Sequence, residues 1–139
     1  MDRVSITETI VSIILKHYPM AQAIYLFGSY AAQRESPTSD VDIALLLPPA
    51  QARQAKNLGL TQCRYDLEAA MSREIDLLNA RQVSTVIQKE FISGVRIYCA
   101  EPYAADEFEM LVISYYQKLN DERREILDAF FKTGRAYAV

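Results

Sequence analysis

The chain is 139 residues long, enough for one domain with a substantial core and too little for a catalytic domain joined to a separate substrate domain. Half of its residues are hydrophobic and 24% are charged, a balance that excludes wholesale disorder. The formal net charge of -3 speaks against a basic surface, so neither direct nucleic-acid binding nor a polybasic membrane patch is expected.

In the first segment, residues 3–17, Ile6, Ile10, Ile13 and Ile14 recur at intervals of three and four, which predicts a helix that Pro19 ends. Polar residues break up this stretch and it carries no small-residue cleavage signal, so it reads as neither an export signal nor a membrane span. Ala23 to Phe27 is a short apolar run leading into Gly28 and Ser29, the pattern of a buried strand entering a tight turn. Ser36 to Ser39, with Pro37 inside, form a loop before Val41, Ile43 and the run Ala44 to Leu47 resume as a second strand that Pro48 and Pro49 stop. The polar run from Gln51 to Ala70 is expected to return over the sheet as a helix, with Gly59 as its bending point. Ile75 to Leu78 supplies a third strand, Val83 to Phe91 a helix, and Val95, Ile97 and Tyr98 a fourth strand after Gly94.

A C-terminal amphipathic helix of about 106–131 begins near Asp106, where acidic residues suit a helix N-terminus. Phe108, Leu111, Val112, Tyr115, Tyr116, Leu119, Ile126, Leu127 and Phe130 recur at helical intervals, with Asn120 to Glu125 as a charged interruption. The stripe reads first as a packing face, with Phe108, Leu111, Val112, Tyr115 and Leu119 turned inward, and any remainder is open to a partner. No repeat or low-complexity tract interrupts the chain, so residues 1–139 read as one α/β (α+β) domain, a small mixed β-sheet with packed helices. Cys63 and Cys99 form no CxxC and His17 is the single histidine, which leaves no conventional zinc set. Reduced thiols and a cytoplasmic location are the expectation, with His17 a structural or surface residue.

Two carboxylates mark the start of the second strand. Alternation along a strand puts Asp40 and Asp42 on one face and Val41 and Ile43 on the other. Like charges so close repel unless a cation or donors satisfy them, and magnesium does so with oxygen ligands while still contacting substrate phosphate. Asp76, in Ile75-Asp76-Leu77-Leu78, completes a triad if the third strand lies beside the second. For a bare Asp-x-Asp the favoured reading is structural, with Asp40 capping a turn and Asp42 and Asp76 at a wet sheet edge. The upstream Gly28 permits a close backbone approach, and Ser29 suits the cap of a helix whose free N–H groups face phosphate.

Gly28-Ser29, ten residues, then Asp40-Val41-Asp42 resembles the signature of the DNA polymerase beta-like nucleotidyltransferase superfamily, and the short chain is similar to its minimal members. The likeness spans roughly residues 20 to 100, with GSYAAQRESPTSDVDIALLL as its core and EIDLLN as the third-carboxylate strand. It implies that Gly28 and Ser29 hold the triphosphate of ATP, that Asp40 and Asp42 bind two magnesium ions, and that Asp76 binds one of them and helps activate the attacking hydroxyl. The commoner pattern has a basic residue and a glycine where this chain has Ala32 and Gln33, with Arg34 next, so the positive charge of the phosphate loop is placed differently. Small proteins of this kind pair with HEPN-domain ribonuclease toxins and act as antitoxins by placing AMP on a toxin tyrosine. The resemblance therefore implies a protein adenylyltransferase with a HEPN toxin as partner. Two alternatives stay open: a non-catalytic antitoxin that only binds, and a small-molecule nucleotidyltransferase working with a separate substrate-binding subunit.

Overall fold

A computed structural model describes residues 3–28, 40–55 and 57–133. In chain order they form α1 (Arg3–His17), β1 (Ala23–Phe27), β2 (Val41–Leu46), α2 (Pro49–Ala55), α3 (Gln62–Met71), β3 (Ile75–Asn79), α4 (Thr85–Ile92), β4 (Val95–Cys99) and α5 (Pro102–Thr133). Short 3-10 turns at Leu58–Leu60 and Ala80–Gln82 connect them. Among the described residues no helix is long and apolar enough to cross a membrane.

The sheet order is β3-β2-β1-β4, with β1 antiparallel to both neighbours and β2 parallel to β3. This is the small mixed sheet that the alternation of apolar runs and helical segments predicts. Period-two alternation divides its side chains between two cores. Ile24, Leu26, Val41, Ile43, Leu45, Ile75 and Leu77 meet Ile10 and Ile14 of α1 and Leu67 of α3 on one face. Tyr25, Phe27, Ala44 and Leu46 meet Phe91 of α4 and Ala105, Phe108 and Val112 of α5 on the other. Gly94 lets the turn before β4 press on β1, where a Cβ would run into the backbone of Leu26 and Phe27.

Three expectations change. The run from Gln51 to Ala70 is not one helix but α2, a 3-10 turn and α3; Asn57 accepts a hydrogen bond from the Gly59 N–H at 3.0 Å and so starts a new turn where a helix would have continued. The C-terminal helix starts at Pro102, whose fixed φ and missing N–H suit a first helical turn, and it runs through Asn120 to Glu125 without interruption. Charged residues there are solvated rather than breaking. Of the apolar stripe only Phe108 and Val112 are buried; Leu111 is exposed because it lies off the narrow face that Phe108 and Val112 turn to the sheet, and Tyr115, Ile126, Leu127 and Phe130 are exposed in the turns beyond Val112, the last of the stripe to reach the core.

Polar contacts fix α5 to the sheet. The buried Tyr25 hydroxyl donates to Glu109 Oε2 at 2.8 Å, and Arg96 of β4 donates to Asp106 at 3.1 Å and to Glu109 at 3.0 Å. Burial and the Glu109 carboxylate push the Tyr25 phenol well above its ordinary range, so it stays a donor. On the other face His17 Nε2 lies 2.7 Å from Asp66 Oδ2, tying α1 to α3, a structural place in keeping with its reading from sequence.

Candidate active site

The end of β1 and the starts of β2 and β3 meet at one end of the sheet. Phe27 pairs with Asp42 across β1 and β2, and Asp42 pairs with Asp76 across β2 and β3. Asp42 and Asp76 share the face of Ala44 and Leu78, opposite Ile43 and Leu77. Those apolar neighbours anchor each strand, leaving two carboxylates side by side on parallel strands. Asp40 lies just before β2 and is exposed, as Asp76 is, whereas Asp42 is partly buried.

That packing has an electrostatic cost. Burial, followed by the charges of Asp76 and Asp40, pushes the Asp42 carboxyl up to about 6. Gly28 stands directly behind it with a φ of +74°, and a Cβ there would collide with the Asp42 carboxylate. Only glycine offers both the left-handed backbone and the space. Ser29 lies outside the described residues, as do Ala32, Gln33 and Arg34.

Hard oxygen donors with surplus negative charge are the chemistry that magnesium requires. The donor set fits that ion, although among the described residues no three His, Cys, Asp or Glu side chains close into a cage.

Beside Asp40 and Asp76, at the outer edge of β3, opens a cleft of about 380 Å³ lined also by Asn57, Gly59, Leu60, Arg64 and Glu74. Arg64 Nε donates to the Ile75 carbonyl at 2.8 Å, and Glu68 Oε2 accepts from the Ile75 N–H at 3.2 Å. This clamp satisfies the edge of β3 one residue before Asp76. Sequence reasoning missed the cleft: the i,i+4 spacing of Arg64 and Glu68 announces an ion pair, but its grip on Ile75 depends on how α3 lies against β3.

Residues 8–103 match the family model described as polymerase beta, nucleotidyltransferase. The chain belongs to that family. It is 30% identical over 119 residues to protein adenylyltransferase MntA of Shewanella oneidensis, covering 86% of this nucleotidyltransferase and 83% of the relative. Among solved structures it is similar to a toxin-antitoxin with AMP-PNP, with a TM-score of 0.68 at 28% identity over 90% of this chain and 98% of the other. A second is the tri-AMPylated Shewanella oneidensis HEPN toxin in complex with MNT antitoxin, with a TM-score of 0.65 at 26% identity over 94% and 99% of the two chains. The nucleotidyltransferase fold expected from the Gly-Ser and Asp-Val-Asp spacing is thus the fold observed.

Proposed function

We propose that this nucleotidyltransferase is an antitoxin protein adenylyltransferase of the cytoplasm, which moves AMP from ATP to a tyrosine hydroxyl of a HEPN-domain ribonuclease toxin and so neutralises it. The observation that carries the reading is the register pairing of Asp42 with Asp76, with Gly28 packed against the Asp42 carboxylate. The name of the Shewanella relative and the toxin-antitoxin complexes of the similar structures support the choice of acceptor.

Gly28 and Ser29 hold the triphosphate through backbone approach and a hydroxyl. Asp40, Asp42 and Asp76 hold two magnesium ions, which when bound offset phosphate charge and favour ionisation of the acceptor. The acceptor oxygen bonds to the α-phosphorus as the bond from that phosphorus to the pyrophosphate oxygen breaks. Asp76 takes the hydroxyl proton and passes it to solvent, and pyrophosphate leaves.

The test is intact mass of a co-purified HEPN-domain partner before and after incubation with ATP and magnesium. An added adenylyl mass on a tyrosine is expected. Tight association with no added mass would point to the binding-only antitoxin instead, and AMP on a small molecule alone to the third reading.

A further inference from the structure

The cleft at the edge of β3 adjoins Asp40 and Asp76, but its outer wall of Asn57, Gly59, Leu60 and Arg64 has no role in the site described so far. We infer that it receives the phenol side chain of the acceptor, with Leu60 as the residue that selects an aromatic hydroxyl over an aliphatic one; this rests on the proposed transfer to tyrosine.

Direction of approach comes first. The functional residues form a row across the sheet: Gly28 after β1, Asp42 on β2, Asp76 on β3, and then the cleft. In-line displacement puts the attacking and leaving oxygens on opposite sides of phosphorus. With the triphosphate held at Gly28, pyrophosphate departs on the β1 side, so the acceptor oxygen arrives from the β3 side, past Asp76. Two described openings lie along β3; the one at Leu77, Leu78 and Asn79 sits farther along the strand, whereas this cleft is lined by Asp40 and Asp76 themselves, and its volume of about 380 Å³ falls within the ordinary range of ligand pockets, roughly 300–1,000 Å³.

The wall of the cleft is held in place. Leu58 is buried in the core, the Asn57 side chain caps the Gly59 N–H, and the Thr61 hydroxyl donates to the Leu58 carbonyl at 2.6 Å. Arg64 is fixed by the Ile75 carbonyl and by Glu68 at 3.4 Å, which presents a positioned guanidinium to the cleft. On this rigid turn Leu60 is 73% exposed, an apolar side chain the fold itself does not use. An aromatic ring laid against it gains contact area without ordering a mobile loop, and a planar cation nearby favours a π face. A serine or threonine side chain is shorter and has no π face to offer either.

Two arms test the inference. Titration of the protein with N-acetyltyrosinamide, followed by amide NMR shifts, should move Gly59, Leu60 and Asp76, while N-acetylserinamide should not. Shifts confined to other surfaces, or equal effects of both probes, would overturn it. In the second arm Leu60→Asp should raise KM for the HEPN-domain partner about tenfold with kcat and ATP affinity little changed, and Val4→Asp, an exposed control on α1, should change neither. An unchanged KM in Leu60→Asp overturns the inference while leaving the adenylyltransferase reading intact. Should the wild-type chain modify no HEPN-domain protein, that reading falls and the probe titration still decides whether the cleft takes a phenol.

Discussion

Burial at the start of β2, with Asp76 and Asp40 beside it, lifts the Asp42 carboxyl from 3.8 to about 6. The native state therefore holds this proton more tightly than the unfolded chain does. In metal-free protein the cost of ionising it grows as pH rises from 3.8 to about 6 and is complete above that window. Asp42→Asn should consequently raise stability in chelator by on the order of 1–2 kcal/mol at neutral pH, allowing for solvent screening, and the gain should vanish in acid. Urea titrations across pH check this, and a gain independent of pH would show that ionisation of Asp42 is not its source. The same variant, like Asp40→Asn and Asp76→Asn, should lose transfer activity by on the order of 10²-fold or more, because a negatively charged oxygen ligand for magnesium is gone while the volume is kept. Radiolabelled AMP transfer measures it, and wild-type turnover in any of the three would remove that residue from the proposed site. Gly28→Ala should be worse in both respects: the positive φ costs about 1–3 kcal/mol and the new Cβ displaces Asp42. A Gly28→Ala protein that melts and turns over like wild type would contradict the packing described.

At the scale of elements, α5 combines two uses. Its first turns pack Phe108 and Val112 on the sheet, and residues 121–132 are exposed throughout. Arg123 and Arg124 lie in that exposed part, so Arg123→Glu with Arg124→Glu should leave the melting temperature unchanged. Association with the protein partner should slow several-fold at low salt, since rim charges act on encounter more than on chemistry. Stopped-flow binding over a salt series reads this, and identical rates at every ionic strength would make the helix a purely structural element. Legibility differed between elements for physical reasons. Ile10 and Ile14 or Val41 and Ile43 announce their element because one face must be apolar over its whole length. In α5 periodicity records amphipathicity but neither how narrow the packed face is nor where the contact with the sheet stops, so the burial expected for Leu111 and Tyr115 did not follow. The break at Asn57 to Leu60 rests on one side-chain cap, a local bond that average propensity does not register.

Across the whole molecule, the carboxylates were legible because chemistry forces rare residues into apolar strands, and Asp42 and Asp76 stand out from their neighbours for that reason. Their adjacency was implied by the family resemblance but stayed conditional on the residues alone, because it needs β3 to pair parallel with β2, which depends on the α2 and α3 connection folding back over the sheet. The cleft was invisible for the same reason, being made where α3 meets the sheet edge. The 32 residues of α5 are about 48 Å long at the standard helical rise, whereas a compact chain of this size has a radius of gyration of about 14 Å. A rod longer than the body carrying it sets the axis about which the molecule tumbles. Amide vectors in α5 lie along that axis, so nitrogen-15 relaxation should give uniformly higher R2/R1 ratios in α5 than the average over the other described elements. Equal ratios would mean that the far end of the helix does not move as one piece with the sheet, and it would then be a tether rather than an arm.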